Sequence, residues 1–171
     1  MADYAGRSIH GVPRQARRQA EQPILAIDGD VQQPCALTPV DLAGLPRHRF
    51  LDAYRNPDNP NLPASDWSGM PLNTVVDFAS PAPGAAWVRI SAGPYATVVA
   101  LAEAGSVLLC DALNGEPIPA EQGGPWRLVK PDDRYFTSVK WVDRITLSID
   151  EPDNSAERIA RARQRARDAR G

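Results

Sequence analysis

The chain has 171 residues and a formal net charge of −2, with 43% hydrophobic and 23% charged residues. This length allows one domain of ordinary size, and this composition excludes wholesale disorder, collagen-like repetition and a coiled coil. Seventeen prolines and an aromatic share of only 6% favour a strand-rich domain of many short elements over a helical bundle.

The charge is unevenly distributed along the chain. Residues 1–22 carry four Arg against two acids, and residues 151–171 carry six Arg against four acids. Basic ends can contact anionic partners, but no aromatic residue is interleaved with the C-terminal arginines to stack on bases, which argues against nucleic-acid binding. We therefore expect a flexible basic arm over residues 1–22, a folded domain over 23–150 and a polar helical tail over 151–171, with either basic end able to contact a protein partner.

Membrane and metal signals are absent from the sequence pattern. No apolar run approaches the roughly 18–20 residues of a transmembrane helix, and the first twenty residues lack the apolar segment of a signal peptide. A cytoplasmic protein without membrane contact is expected. Cys35 and Cys110 each have apolar neighbours and no zinc-ligand spacing, so we predict reduced, partly buried thiols and no metal site.

The first elements of the domain are a short strand and a helix. Residues 24–27 are β-prone and end at an Asp-Gly-Asp turn. Thr38 as N-cap, Pro39 at the first helical position and Asp41 in the first turn predict a helix that ends near Gly44. Residues 47–66 contain three prolines and three asparagines and are predicted to form a long loop.

The second half is predicted to be rich in strands. After a short helix over residues 72–79, apolar runs at 87–90, 97–101, 107–109, 126–129, 138–142 and 144–149 predict strands. Asn114-Gly115 predicts a tight turn between two of them. The fold class expected from this pattern is β-rich α+β, with short helices and long loops.

A cluster of donors late in the chain can bind an anionic ligand. Arg127, Lys140 and the Ser138 hydroxyl can donate hydrogen bonds to a phosphate, and Gly123-Gly124 allows a close approach of the backbone. The alternative is that Gly-Gly-Pro is only a tight turn and Arg127 a solvated strand residue. Spacing alone leaves both interpretations open. We expect the partner to be a small-molecule ligand or substrate.

Several motifs, in order, resemble the molybdopterin-binding domain of the sulfite oxidase family, including its protein-methionine-sulfoxide reductase branch. They are Asp28-Gly29-x-Val31, Leu37-Thr38-x-x-Asp41-Leu42-x-x-Leu45-Pro46, Trp67-x-Gly69-x-Pro71-Leu72, Asn114-Gly115-Glu116-Pro117-Ile118-Pro119, Gly123-Gly124-Pro125-x-Arg127-Leu128-Val129 and Ser138-Val139-Lys140-Trp141-Val142. The resemblance covers roughly residues 24–149. It implies a β-rich mixed-sheet fold and molybdopterin as cofactor, with Arg127 and the Ser138-x-Lys140-Trp141 segment along the pterin phosphate.

One feature of the family is missing from the sequence. The resemblance implies a cysteine ligand to molybdenum between Leu45-Pro46 and Trp67, and that interval contains no Cys. Cys35 and Cys110 lie elsewhere and do not align with the ligand. This argues against molybdenum coordination and against the family's usual redox reaction, because no other side chain reproduces a thiolate donor.

Three functions follow as alternatives. The first is an oxidoreductase-like protein that keeps part of the pterin phosphate site, and the second is a non-catalytic ligand-binding or scaffold module. The third is a repurposed enzyme that uses acid–base groups in the emptied pocket. The candidate acid–base residues are His48, Asp52, Tyr54, Arg55 and Asp111.

Overall fold

A computed structural model describes residue 12 and residues 14–51, 65–130 and 138–169. Within these ranges the helices are α1 (Arg14–Glu21), α2 (Pro39–Leu42), α3 (Leu72–Val76) and α4 (Ser155–Asp168). The strands are β1 (Leu25–Gly29), β2 (Cys35–Leu37), β3 (His48–Leu51), β4 (Asp66–Pro71), β5 (Trp87–Ala92), β6 (Tyr95–Ala100), β7 (Leu108–Leu113), β8 (Glu116–Pro117), β9 (Arg127–Val129) and β10 (Arg144–Ser148). None of the described helices is long and apolar enough to cross a bilayer.

The first sheet has the strand order β2-β1-β10-β5-β6. β1 and β10 are parallel, whereas the other pairs are antiparallel. The backbone N–H of Ala96 on the edge strand β6 donates to the Ser155 hydroxyl at the start of α4, at 2.8 Å. The first turn of α4 therefore covers part of this edge, and Ser155 and Ala156 are buried there.

The second sheet has the order β3-β4-β7, and both β8 and β9 pair with β7. A row of directly paired residues crosses it: His48 pairs with Gly69, Gly69 with Cys110, and Cys110 with Arg127. A Cβ on Gly69 would lie 2.1 Å from the Leu109 carbonyl oxygen, so only glycine permits this close approach of β4 to β7.

Two hydrophobic clusters hold the sheets. The larger combines side chains of both sheets, such as Ile27 and Ile145 from the first and Met70 and Leu109 from the second. The smaller involves the second sheet and contains Trp67, Leu108, Cys110, Leu113, Ile118 and Val129. Trp67 is 3% exposed and is therefore a buried anchor of the second sheet.

Several local predictions are confirmed. The fold is mixed α+β with two largely antiparallel sheets, as expected. One oxygen of Asp41 accepts hydrogen bonds of 2.7 Å from both the N–H and the hydroxyl of Thr38 at the start of α2. Asn114 and Gly115 have φ of 53° and 83°, as the turn between β7 and β8 requires.

Other expectations differ from the structure. Part of the predicted loop 47–66 is strand β3, whose pairing with β4 brings Phe50 opposite Trp67. The segment 138–142 is not a regular strand: it makes one isolated bridge, Val139 to Leu128, and Trp141 has a φ of 58°. Its alternation of apolar residues reflects packing against the core rather than sheet pairing.

The N-terminal region also departs from the expected flexible arm. Residues 14–21 form α1, and Val12, Ala16 and Gln19 are buried. The Gln19 amide donates to the carbonyl oxygens of Ile24 and Val142, at 2.8 and 3.0 Å. The folded part therefore extends N-terminal to residue 23, because one face of α1, which carries Ala16 and Gln19, packs against the domain.

Candidate functional site

The predicted anion-binding residues meet where three segments converge. Strand β9 supplies Arg127, the following segment 138–142 supplies Ser138 and Lys140, and the 3-10 turn Ala120–Gln122 faces both. We call Arg127, Ser138, Lys140 and the backbone of this turn the anion cradle.

Arg127 is the buried member of the anion cradle. It is 4% exposed, and its guanidinium carbon lies 4.8 Å from the centroid of the Trp67 ring. Its Nε donates to the Ser138 hydroxyl at 2.9 Å, and its Nη1 donates to the Gln122 carbonyl oxygen at 2.9 Å. These contacts fix a positive charge in a low-dielectric setting, where it attracts an anion strongly. Arg127 is therefore not the solvated strand residue of the alternative interpretation.

Lys140 is the more accessible cation. Its Nζ donates to the Glu121 carbonyl oxygen at 3.3 Å, and it lies 5.7 Å from the centroid of the Trp141 ring. Burial, and then the neighbouring charge of Arg127, lower the pKa of Lys140 to about 8. A bound anion would oppose both effects, because it favours the charged ammonium.

Consecutive carbonyl groups of the 3-10 turn hold the cradle in place. Ala120 accepts from the Trp141 indole N–H at 2.6 Å, Glu121 accepts from Lys140, and Gln122 accepts from Arg127. A carbonyl group orients a cation without neutralising it. These three carbonyl groups therefore fix the positions of the Arg127, Lys140 and Trp141 side chains.

The two glycines before Pro125 pack against the protein itself. Gly123 has a φ of 103°, and a Cβ there would lie 2.7 Å from the Lys140 side chain. A Cβ on Gly124 would lie 1.9 Å from the Ile118 carbonyl oxygen. Both glycines therefore allow the loop to approach Lys140 and Ile118, and direct contact of their backbone with a ligand stays a prediction.

The acid–base candidates are not brought together among the described residues. His48 is exposed on β3, three strands away from Arg127 in the row across the sheet, which is roughly 14 Å at the usual strand spacing. Asp111 is the extra residue of a β-bulge on β7, and Arg47 donates to both of its carboxylate oxygens. Asp52, Tyr54 and Arg55 lie outside the described residues.

The two thiols lie in different sheets. Cys110 is fully buried on β7, and burial together with the charge of Asp111 raises the pKa of its thiol. Cys35 is partly buried on β2, and burial followed by the charge of Asp41 raises its pKa as well. Both are free, as predicted. Over the described ranges, no three His, Cys, Asp or Glu side chains are grouped to hold a metal ion.

Comparison with known proteins decides the family. The sequence model of the oxidoreductase molybdopterin-binding domain matches residues 10–156. The chain belongs to this family. The match includes α1 and most of the described structure, so the anion cradle is part of a molybdopterin-binding domain.

Individual relatives agree with this assignment. The chain is 32% identical over 114 residues to the catalytic subunit MsrP of the protein-methionine-sulfoxide reductase of Gluconobacter oxydans, covering 55% of this chain and 36% of the relative. It is 29% identical over 98 residues to an NADPH nitrate reductase of Fusarium oxysporum, covering 52% of this chain and 11% of the relative. The chain thus spans well under half of either relative.

A solved structure shares the fold. The sulfane dehydrogenase SoxCD of Paracoccus pantotrophus superimposes with a TM-score of 0.64 over 74% of this chain and 38% of its own, at 23% identity. This likeness shows that the two proteins share the two-sheet fold.

Sequence reasoning missed two parts of the site. The carbonyl groups of residues 120–122 carry no side-chain signal, so their role is visible only in three dimensions. Trp141 lies in the segment that the resemblance places along the pterin phosphate, but no role is predicted for its side chain, although its place next to Lys140 in the motif is an available signal. Outside the site, Gln19 supports the segment 138–142 through the Val142 carbonyl, and no sequence pattern predicts this, because an isolated glutamine in a polar helix is typical of a solvated side chain.

Proposed function

We propose that this chain is a cofactor-binding domain that holds molybdopterin through the cofactor's phosphate in the anion cradle. The observation that carries the proposal is a pair of neighbouring cations, the buried Arg127 and the partly buried Lys140, both oriented by backbone carbonyls. Their chemistry fits a phosphate, because charge-assisted hydrogen bonds from Arg and Lys are the usual way proteins bind one. When bound, molybdopterin supplies the sulfur ligands of a redox-active metal.

The cradle residues would have distinct tasks toward the phosphate. Lys140 would contribute the mobile charge, since among the described residues its ammonium group donates to a single acceptor, the Glu121 carbonyl oxygen. Arg127 would contribute a fixed charge whose direction is set by Ser138 and Gln122. Binding would therefore require little rearrangement of the protein.

The residues fit the phosphate of the cofactor better than they fit its metal. The interval 47–66, where the family resemblance implies a thiolate ligand, contains no Cys. Cys110 lies on β7 with its thiol buried and its pKa raised, which favours the neutral thiol. We propose that this domain retains the phosphate site and has lost thiolate coordination of the metal, so that the family's usual redox reaction does not proceed on it.

The experiment measures what the protein carries. The chain is purified from a host that makes molybdopterin, and pterin released by denaturation is measured by mass spectrometry alongside elemental molybdenum. We expect pterin at near-stoichiometric level with molybdenum well below it. Lys140→Ala should lose most of the pterin, whereas Arg163→Ala, which removes a charge from the exposed helix α4, should retain it.

Other results would contradict the proposal in separate ways. Wild-type protein without pterin, or equal pterin in wild type and Lys140→Ala, would contradict binding at the cradle. Pterin with equimolar molybdenum would leave the cradle in place and contradict the loss of metal coordination.

A further inference from the structure

Trp141 has an unusual backbone conformation for its residue type. Its φ of 58° lies in the left-handed region, which favours glycine and is disfavoured for bulky side chains. Asn114 shares this region, but it lies in a tight turn of the kind that asparagine tolerates. A conformation of this kind persists only where the surroundings enforce it, and it often marks a functional position.

Contacts on both sides enforce the conformation of Trp141. Its backbone N–H donates to the Gly123 carbonyl oxygen at 2.9 Å, and its indole N–H donates to the Ala120 carbonyl oxygen at 2.6 Å. The next residue, Val142, donates to the Trp126 carbonyl oxygen at 2.9 Å and accepts from the Gln19 amide at 3.0 Å. The strained residue is thus held between the 3-10 turn and helix α1.

The left-handed backbone of Trp141 affects the direction of the neighbouring Lys140. An extended residue at position 141 would continue the direction of a strand, whereas the left-handed residue turns the chain away from that direction immediately after Lys140. The indole ring lies against the Lys140 side chain, 5.7 Å from ring centroid to Nζ, and its N–H bonds the carbonyl one residue before the one that Lys140 contacts. Trp141 and Lys140 are therefore oriented by the same 3-10 turn.

We propose that Trp141 is a positioning residue of the anion cradle, whose left-handed backbone and anchored indole direct the Lys140 ammonium group toward a bound phosphate. This inference rests on the proposed function, because it assumes that Lys140 binds an anion. It adds a residue that does not contact the ligand and acts through Lys140.

Two substitutions separate the indole hydrogen bond from the backbone constraint. Trp141→Phe keeps an aromatic ring and removes the N–H donor to Ala120. Trp141→Gly accepts the left-handed conformation without strain and removes the ring. Trp87→Phe, on β5 of the first sheet, is the matched control, and near-UV circular dichroism establishes that each variant is folded.

The readout is the dissociation constant for inorganic sulfate, measured by isothermal titration calorimetry from pH 6.5 to 9.5. Sulfate keeps a constant charge over this range, so a change of affinity with pH reports on the protein. One lost hydrogen bond corresponds to about a threefold to tenfold weaker affinity, which we expect for Trp141→Phe, with at least as large a loss for Trp141→Gly. The pH at which affinity is half lost should also shift in both variants and remain unchanged in Trp87→Phe.

The outcomes distinguish the inference from the proposed function. Folded Trp141 variants that bind sulfate with wild-type affinity and pH profile, while Lys140→Ala binds weakly, would overturn the positioning role and leave the cradle intact. Wild-type protein that binds no sulfate, or Lys140→Ala that binds as well as wild type, would overturn both.

Discussion

The two cations of the anion cradle differ in what they do for the fold. Arg127 is almost fully buried and is bonded to Ser138 and Gln122, whereas Lys140 is partly buried and donates to one carbonyl. Removal of Arg127 should therefore destabilise the fold, because its loss leaves a cavity and two polar groups without their partner.

We therefore predict a difference in stability between the two alanine variants. Arg127→Ala should lower the free energy of unfolding by about 2–4 kcal/mol, because it leaves a buried cavity and removes the hydrogen-bond donor to the Ser138 hydroxyl and the Gln122 carbonyl. Lys140→Ala should change it by less than about 1 kcal/mol. Urea denaturation followed by circular dichroism measures both. Equal stabilities of the two variants would mean that the contacts of Arg127 do not form.

The pKa of Lys140 makes the stability of the ligand-free protein depend on pH. The pKa falls from 10.5 for an ordinary lysine to about 8 in the fold, so between these two values the unfolded chain binds more protons than the folded one. Stability must then rise with pH across this window, since high pH removes the cost of a charged Lys140. Lys140→Met should abolish this contribution, so that wild type gains stability relative to the variant between pH 8 and pH 10.

Anion binding at the same lysine has the opposite pH dependence. A bound sulfate favours the charged ammonium and raises its pKa, so affinity should be highest below pH 8 and fall above it. Denaturation curves at pH 7, 8.5 and 10, with and without sulfate, test both signs together. An affinity that is constant over this range would show that Lys140 does not contact the anion.

At the scale of elements, the sequence predicted local structure where short-range chemistry determines it. The Thr38-Pro39-x-Asp41 start of α2 and the Asn114-Gly115 turn depend on adjacent residues, and both are confirmed. The segment 138–142 has strand-like alternation, but hydrogen bonds to the carbonyl groups of residues 123 and 126 set its path. These partners lie more than ten residues earlier in the chain. Such tertiary contacts override a local pattern.

Helix α1 shows the same limit. Its sequence is polar and rich in Arg, and the small buried face of Ala16 together with Gln19 carries little hydrophobic signal. Its place in the fold depends on the Gln19 amide, which bonds the carbonyls of Ile24 and Val142. No periodicity of apolar residues would reveal this contact.

This dependence gives a test of α1 as part of the domain. Gln19→Ala should lower the free energy of unfolding by about 1–3 kcal/mol, because two carbonyl groups lose a buried donor. Gln164→Ala on α4, whose amide donates to the exposed Asp168 carboxylate four residues further on, should change it by less than about 0.5 kcal/mol. If chemical denaturation gives the two variants the same stability, α1 does not pack against the domain as described.

At the scale of the whole molecule, the anion cradle lies where the two sheets are joined. Arg127 is in β9 of the second sheet, and the segment 138–142 leads directly into β10, a central strand of the first. The resemblance predicted the fold class and the identity of the cradle residues. It could not predict this junction, because the place of β10 in the first sheet depends on strand pairings between residues far apart in the chain, such as Ala26 with Arg144.

A ligand at the junction should stabilise both sheets as one cooperative unit. At a concentration 100 times its dissociation constant, a ligand that binds only the folded state adds about 2.7 kcal/mol to stability. For a chain of this length, that corresponds to an increase in Tm of about 5–10 °C. We expect inorganic phosphate at pH 7 to produce a saturable increase of this size in a single transition that is the same by calorimetry and by fluorescence.

The non-specific effect of salt provides the comparison for this experiment. Phosphate also stabilises proteins by exclusion from their surface, but that effect rises steadily with concentration and would be equal in wild type and Lys140→Ala. The saturable part should therefore be absent from Lys140→Ala and present in Arg163→Ala. A saturable increase confined to one of two separate transitions would show that the cradle stabilises a single sheet, and that the segment 138–142 does not couple the two.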